Sequence, residues 1–232
     1  IRASTYSQDF MMSHIQRTLQ DSQAAIKCYK EPQSYDQWAD SYNTDSSNLG
    51  YKGPVCTAEI LMKHFTLSPD QARVLDLACG TGLVAKQLSS LGFRHFVGVD
   101  ASQPMLEKAR LTGLYQDLHQ VLLGTEPLPV NSGEFDVVTM TGCLHRKYVP
   151  VEVIRELCQV AKPGGLVVMT RLNYPTPDNA SFSEELQREM DRMEEEGLWK
   201  KLEVLQEEHY YANYYQLGDA LPGTVYLYQK AV

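Results

Sequence analysis

The chain has 232 residues, 43% of them hydrophobic, and a formal net charge of −8 at pH 7. This length suits one α/β domain with a sizeable core. The acidic balance argues against a broad nucleic-acid surface, which requires clustered Lys and Arg, and no apolar run approaches the roughly 18 residues that span a membrane. The five cysteines, at positions 28, 56, 79, 143 and 158, lack metal-ligand spacing, so the sequence predicts free thiols and no metal site.

Predicted helices and strands alternate along the chain, as they do in a doubly wound sheet. Residues 1–32 are predicted to be an N-terminal extension, either helical or mobile, and residues 33–232 a single domain. Predicted helices cover residues 35–42, 54–66, 82–91, 103–112 and 151–161, and another begins at a capping box formed by Ser181 and Glu184. Predicted strands cover residues 72–77, 95–99, 119–123, 135–140, 165–171, 202–213 and 223–230.

A glycine-rich turn follows the first predicted strand and precedes a helix. Val74-Leu75-Asp76-Leu77-Ala78-Cys79 leads directly into Gly80-Thr81-Gly82. Glycines let a ligand approach the main chain, and the helix start beyond them offers unpaired N–H groups. The pattern therefore predicts a nucleotide-like ligand at this loop.

Two classes of ligand fit the loop. Gly80 to Ala85 matches the dinucleotide pattern G-x-G-x-x-G/A, and Asp100 stands close to the position of the ribose-binding acid in that pattern. Asp76, inside the strand, would repel a pyrophosphate and attract a cationic ligand with an amino group and a sulfonium. S-adenosylmethionine is such a ligand, and NAD is the alternative.

The order of the motifs resembles the class I S-adenosylmethionine-dependent methyltransferases. Asp76 to Gly82 is similar to the first motif of that family, and Val97-Gly98-Val99-Asp100 is similar to its second strand. Other similar segments are Ala101 to Leu106, Phe135 to Val138 and Lys162 to Gly165. Tyr35 to Tyr42, Asn48 to Tyr51, Gly142 to Leu144 and Val225 to Tyr228 resemble, more narrowly, the methyltransferase-like proteins of the Williams–Beuren chromosomal region.

The resemblance implies a Rossmann-like, doubly wound sheet of seven strands, mostly parallel with an antiparallel last strand. It implies S-adenosylmethionine as cofactor and S-adenosylhomocysteine as product. Asp100 is expected to accept both ribose hydroxyls, and Asp76 to attract the ammonium group. Thr125 replaces an aspartate of the family pattern, so the adenine amino group is expected to contact Glu126 or a main-chain carbonyl. The expected cofactor-binding residues are Tyr42, Tyr51, Asp76, Ala78, Cys79, Gly80, Thr81, Gly82, Asp100, Ala101, Met105, Thr125, Glu126, Thr141 and Gly142.

The sequence assigns no catalytic residue with a defined role. His145 follows the fourth strand and is the candidate general base, with a structural role as the alternative. Arg171, which ends the fifth strand, is a candidate for binding a substrate carboxylate. Tyr214 belongs to a tyrosine cluster that either lines a substrate pocket or forms ordinary sheet surface.

Three functional hypotheses follow. The first is a methyltransferase that acts on a small-molecule or protein acceptor. The second is a non-catalytic, S-adenosylmethionine-binding regulatory protein, and the third is an NAD-dependent oxidoreductase. Because the sequence shows no signal-peptide pattern and its cysteines read as free thiols, we expect a cytoplasmic location, with the nucleus as the alternative.

Overall fold

A single sheet organises the protein. The computed structural model describes residues 35–213 and 220–232, and the predicted extension over residues 1–32 lies outside them. The strand order is β3-β2-β1-β4-β5-β7-β6. The strands are β1 (Arg73–Leu77), β2 (His95–Asp100), β3 (Tyr115–Gln120), β4 (Phe135–Thr141), β5 (Ala161–Leu172), β6 (Trp199–Tyr211) and β7 (Leu221–Lys230). β1 to β5 are parallel and β7 is antiparallel to both β5 and β6, which confirms the predicted seven-stranded sheet.

Helices cover both faces of the sheet. They are α1 (Tyr35–Trp38), α2 (Tyr42–Asn48), α3 (Gly53–His64), α4 (Leu83–Ser90), α5 (Gln103–Leu111), α6 (Val153–Val160) and α7 (Pro177–Glu195). Consecutive strand residues point to opposite faces, so the buried neighbours Val74 and Leu75 belong to different apolar clusters. α3 and α4 pack in the cluster of Val74, and α6 and α7 pack in the cluster of Leu75. Within residues 35–213 and 220–232, no helix is both long and apolar enough to cross a membrane.

The third strand is displaced from its predicted position. The apolar run at 121–123 predicted a strand over residues 119–123, but β3 runs from Tyr115 to Gln120. β3 is one of the two edge strands of the sheet, and its residues are half-buried or exposed. An edge strand can be polar because one side has no neighbour, and this polarity concealed it in the sequence. The apolar run follows the strand, and its residues Val121 and Leu123 pack in the cluster of Leu75.

The last helix begins before its predicted capping box. Thr176 is its N-cap, and the Thr176 hydroxyl oxygen accepts a hydrogen bond from the Asn179 N–H at 3.3 Å. Pro177 follows at the first helical position, where its fixed φ favours the helix and its missing N–H costs nothing. Ser181 and Glu184 therefore lie inside the helix, and the capping-box prediction is wrong.

The predicted helix over residues 35–42 is two short helices. The chain turns between α1 and α2, and the Ser41 N–H donates to the Trp38 carbonyl oxygen. Asp45 closes this turn, because its Oδ2 accepts from both the Trp38 indole N–H and the Ser41 hydroxyl, each at 2.7 Å.

Packing of α7 against the sheet is open to a direct test. Leu186 is fully buried in the cluster beneath α7, so Leu186→Ala should lower the free energy of unfolding by about 2–5 kcal/mol. Leu111, at the end of α5, is 82% exposed, and Leu111→Ala should change it by no more than about 0.5 kcal/mol. Urea unfolding followed by circular dichroism measures both, and equal effects would contradict the packing described.

Candidate functional site

A cavity of about 440 Å³ opens at the carboxyl ends of β1, β2 and β4. β1 lies between β2 and β4, so the connections that leave the centre of the sheet run to opposite sides. Ligands of open α/β sheets bind in the crevice at such a switch point. The volume falls within the usual range of small-molecule sites, about 300–1,000 Å³.

Most of the residues that the sequence predicted at the cofactor line this cavity. They come from the first loop of the sheet, the end of β2, the start of α5, the end of β4 and the N-terminal segment. These residues are Tyr42, Tyr51, Ala78, Gly80, Asp100, Ala101, Met105, Thr141 and Gly142.

The loop after β1 has a left-handed backbone at alternate positions. Ala78, Gly80 and Gly82 have φ of 52°, 53° and 89°. Residues that have a Cβ rarely adopt this backbone conformation, which costs Ala78 roughly 1–2 kcal/mol. A Cβ placed on Gly80 would have no atom within 4 Å, so the space before this residue is open to a ligand. The loop therefore presents bare main chain to the cavity.

Asp100 connects this loop to the end of β2. Its Oδ2 accepts from the Gly80 N–H at 2.8 Å, and its Oδ1 accepts from the Ser102 N–H at 2.9 Å. Burial raises the pKa of the Asp100 carboxyl, whereas these two main-chain donors act to lower it. The carboxylate is thus fixed in position, and each oxygen keeps acceptor capacity for hydroxyl groups of a ligand.

Asp76 lies behind the loop and does not line the cavity. The residue is 1% exposed, and its carboxylate accepts hydrogen bonds from the Tyr115 hydroxyl at 2.7 Å and the Thr139 hydroxyl at 2.8 Å. Burial raises the pKa of Asp76 to about 6, although both hydroxyls lower it. Its predicted attraction for an ammonium group would therefore act across the loop and not by direct contact.

The other predicted residues of the loop support its shape. The Cys79 N–H donates to the Val99 carbonyl oxygen at 3.0 Å, and the Thr81 hydroxyl donates to Asn43 Oδ1 at 2.6 Å. Gly82 is the N-cap of α4. These three residues are outside the lining of the cavity in the part of the chain that the structure describes.

Thr125 and Glu126 lie outside the cavity as well. Both are exposed and border a separate surface depression beside α6. The Thr125 hydroxyl donates to the Leu122 carbonyl oxygen at 2.7 Å. The wall where these two residues were expected is formed instead by the apolar run at 121–123.

His145 also falls outside the lining, while its neighbours Lys147 and Tyr148 belong to it. The His145 ring packs against Tyr148 and Phe182, with centroid distances of 5.6 and 6.3 Å. Burial lowers the pKa of His145. The structure therefore does not bring the candidate base into the cavity.

The two remaining substrate candidates are separate from this cavity. Arg171 is buried against α7 and lines a different cavity. Tyr214 lies outside the described residues.

Tyrosine rings form much of the rim. Tyr51 stacks on Tyr211 with a centroid distance of 4.8 Å, and these two residues also form an antiparallel β-bridge. Tyr35 meets Tyr148 edge-on at 5.8 Å. Gly142 has a φ of 80°, and a Cβ there would overlap with the Tyr51 hydroxyl. These aromatic contacts hold the segment of residues 35–51 over the carboxyl end of the sheet.

Sequence reasoning missed several lining residues. Several of them carried a local signal. The apolar run at 121–123 was mistaken for β3, and Tyr211 belongs to the tyrosine cluster for which pocket lining was one alternative. Tyr35, Asp36, Ser102 and Cys143 lie in segments that resemble the family. The rest are placed by contacts between distant segments. The missed residues are Tyr35, Asp36, Ser102, Val121, Leu122, Leu123, Cys143, Lys147, Tyr148, Val149 and Tyr211.

The charges around the cavity favour a cationic ligand. Asp36 and Asp100 line it, and Asp76 lies behind the loop, whereas Lys147 is the one Lys or Arg among the described lining residues. Asp36 accepts a hydrogen bond from the Ser102 hydroxyl at 2.6 Å, which holds it beside Asp100. Asp36 and Asp76 would repel a pyrophosphate at the loop, whereas an acid at the position of Asp100 suits both classes of ligand. A nucleoside that carries a positive charge is compatible with these carboxylates.

Asp76 makes folding stability depend on pH. Because its folded pKa is about 6 against an ordinary 3.8, the folded protein binds more protons than the unfolded chain between these values. The contribution of Asp76 to the free energy of unfolding should fall by about 2–3 kcal/mol as pH rises from about 4 to about 7, and Asp76→Asn should remove this contribution. Urea unfolding at several pH values measures it. The same pH dependence in both proteins would contradict the pKa shift.

Comparisons with known proteins point to one family. The family described as "Methyltransferase domain" matches residues 75–169. Human Methyltransferase-like protein 27 is 44% identical over 168 residues, which cover 72% of this chain and 67% of the human protein.

More distant relatives share part of the chain or the fold. The ubiquinone/menaquinone biosynthesis C-methyltransferase UbiE of Vibrio vulnificus (strain YJ016) is 33% identical over 131 residues, so the match spans 52% of this chain and half the length of the bacterial one. A solved structure of an S-adenosylmethionine-dependent methyltransferase from Mesorhizobium loti superposes with a TM-score of 0.55 and 16% identity, over 75% of this chain and 98% of that chain. With these findings, and above all the relationship to the human protein, the chain belongs to the class I S-adenosylmethionine-dependent methyltransferases.

Proposed function

We propose that this protein transfers a methyl group from S-adenosylmethionine to a small-molecule or protein acceptor, with S-adenosylhomocysteine as the product. The position of Asp100 carries the proposal. Its carboxylate stands at the cavity wall, at the end of β2, between the N–H groups of Gly80 and Ser102. A carboxylate fixed in this way can accept two hydrogen bonds from a ribose diol, and such charge-assisted bonds are strong.

The other contacts follow from Asp100. Met105, which is buried at the start of α5, and Val121 and Leu123 supply an apolar surface for the adenine ring. The bare main chain at Gly80 is where the methionine portion would approach the protein. The adenine amino group would contact a main-chain carbonyl of the 121–123 segment, because Glu126 lies outside the cavity.

The negative charge of the cavity lining favours S-adenosylmethionine over NAD. Asp36 and Asp100 form one acidic side of the cavity, and the loop beside them is the position that a dinucleotide would need for its pyrophosphate. Opposite charges a few ångströms apart attract by about 4 kcal/mol at an effective dielectric constant near 20, and like charges repel equally. The acidic lining therefore supports a sulfonium nucleoside and disfavours the oxidoreductase hypothesis.

The chemistry needs positioning more than it needs an acid or a base. When bound, S-adenosylmethionine supplies a methyl group that its sulfonium charge already activates. The protein then has to align an acceptor and exclude water, and alignment can contribute about 7–11 kcal/mol. The stacked Tyr51 and Tyr211 rings cover the cavity on the side of Gly142 and keep water out.

Cys143 would not act as a nucleophile in this reaction. It lines the cavity, but burial, and then the nearby Asp100 and Asp76 charges, raise the pKa of its thiol. The thiol therefore stays protonated at neutral pH, and a protonated thiol is a poor nucleophile.

Two narrower predictions belong with this proposal. The similarity to human Methyltransferase-like protein 27 supports a relationship to methyltransferase-like proteins, and the link to those of the Williams–Beuren region stays a prediction. The cytoplasmic location, with the nucleus as the alternative, stays a prediction.

Asp100→Asn tests the cofactor site. Loss of the charge that receives two hydrogen bonds should weaken S-adenosylhomocysteine binding by about 100-fold or more, since hydrogen bonds to charged groups contribute about 1.5–3 kcal/mol each. Isothermal titration calorimetry measures the dissociation constant. Asp117→Asn, an exposed substitution of the same kind on β3, is the matched control and should bind as the wild type does.

His145→Ala should also leave this binding intact, because His145 is outside the lining. Equal binding by the wild type and Asp100→Asn would remove the basis of the proposal. If NAD bound and S-adenosylhomocysteine did not, the oxidoreductase hypothesis would replace it.

Transfer itself is tested with S-adenosylmethionine tritiated in the methyl group. The wild-type chain should transfer label to a component of fractionated cell extract, and Asp100→Asn should not. Label in a protein band would identify a protein acceptor, and label in the low-molecular-weight fraction would identify a small molecule. Tight S-adenosylhomocysteine binding without transfer in any fraction would favour the non-catalytic regulatory protein.

A further inference from the structure

A second cavity, of about 540 Å³, lies beside the start of α7. It is bounded by the end of β5, the segment that leads into α7, and the neighbouring parts of β6 and β7. None of its lining residues lines the cavity at the carboxyl ends of β1, β2 and β4, which is called the cofactor cavity because the proposed function assigns the cofactor to it. It is therefore a separate space, and the proposed methyltransferase function does not account for it.

Arg171 is the charged residue of this cavity. It is 1% exposed, and its Nη2 donates to the carbonyl oxygen and Oδ1 of Asn179 at 3.2 and 2.6 Å. Its Nε is buried and has no hydrogen-bond partner among the described residues. The Phe182 ring lies beneath the guanidinium, 5.8 Å from ring centroid to Cζ. Asn179 and Phe182 are neutral, so the charge of Arg171 meets no opposite charge in these contacts.

Buried charges in proteins are normally paired, because an unpaired charge out of water is costly. Arg171 takes part in none of the ion pairs formed within residues 35–213 and 220–232, whereas the exposed Arg146 pairs with Glu185 at 2.7 Å. Arg171 is therefore a buried arginine without a counter-charge among the described residues.

The walls of the cavity contain no carboxylate among the described residues. Its polar side chains are amides and hydroxyls, including those of Asn173, Ser183 and Gln206. This is unexpected in a chain with 29 acidic and 21 basic residues. Asp178, in the first turn of α7, is not part of the lining and lies 3.4 Å from the Arg146 guanidinium.

The N-terminus of α7 adds to the positive potential. Thr176 and Pro177, the N-cap and first residue of this 19-residue helix, both line the cavity. A helix N-terminus carries about half a positive charge and commonly binds anions. Arg171 and the helix start thus bring two independent sources of positive potential to one neutral, polar cavity.

We propose that this second cavity binds an anion that carries a carboxylate or phosphate group, with Arg171 as its anchor. The anion supplies the counter-charge that the described residues lack, and Nε is the guanidinium donor that has no partner among them. Hydroxyl and amide groups of the walls complete the contacts.

Inorganic phosphate and succinate, titrated separately into the 232-residue chain, test the proposal. Calorimetry should show saturable binding of at least one, and the ¹⁵N–¹H resonance of Arg171 Nε should shift with the same dissociation constant. Arg171→Met assigns that resonance by its disappearance, and should weaken binding by about tenfold or more, equal to about 1.4 kcal/mol. A preference for phosphate or for succinate distinguishes the two anion classes, and sodium chloride at equal ionic strength controls for screening.

Two further variants keep the test decisive. Arg188→Gln removes an exposed arginine of α7 that does not line the cavity, and should bind both probes as the wild type does. Gln206→Glu adds a negative charge to the wall, and its Oε1 can still accept from Asn173 and Thr224. It should therefore fold normally and weaken binding several-fold, which covers the case in which Arg171→Met does not fold.

S-adenosylhomocysteine binding, measured in the same variants, shows that the cofactor site is intact and separates this proposal from the proposed function. Dissociation constants above about 10 mM for both probes would overturn the anion site. So would binding that is unchanged in both Arg171→Met and Gln206→Glu, or a shift elsewhere with an unmoved Nε resonance.

Discussion

The carboxylate of Asp100 is the constraint on which the candidate site depends. It accepts the Gly80 N–H from the loop after β1 and the Ser102 N–H at the start of α5. Both residues line the cavity, at the carboxyl ends of the adjacent strands β1 and β2. One side chain therefore fixes the left-handed loop, sets the entry to α5 and presents an acceptor to the cavity. In the proposed function, the group that organises the local backbone also binds the ligand.

Carboxylates so close together are costly, and the fold compensates in two ways. Asp76 is deeply buried but receives hydrogen bonds from the Tyr115 and Thr139 hydroxyls, which reduce the effect of desolvation. Burial and the nearby Asp36 raise the pKa of Asp100, and main-chain N–H groups act against this shift. Asp36 in turn accepts a hydrogen bond from the Ser102 hydroxyl. A bound cation would reduce the repulsion between these carboxylates, which agrees with the positively charged ligand of the proposed function.

The sequence predicted what local patterns encode, and missed what distant contacts decide. Buried central strands such as β1 and the loop with Gly80 were identified, because an apolar run followed by glycines has few other interpretations. β3 was misplaced because an edge strand can be polar. The sequence left open whether the tyrosine cluster that contains Tyr211 lines a pocket, since the Tyr211 ring is positioned by stacking on Tyr51, 160 residues earlier in the chain. The tertiary pairing of segments decides such contacts, and single-sequence periodicity does not report it.

The end of β5 explains how one sheet supports two cavities of opposite character. Successive strand residues point to opposite faces. The Thr170 hydroxyl meets the Tyr210 hydroxyl and accepts from the Gly142 N–H, on the side of the acidic cofactor cavity. Arg171, the next residue, contacts Asn179 of α7 and lines the cavity that lacks carboxylates. The pleat therefore directs Thr170 toward Gly142, which lines the acidic cavity, and directs Arg171 into the cavity proposed for an anion.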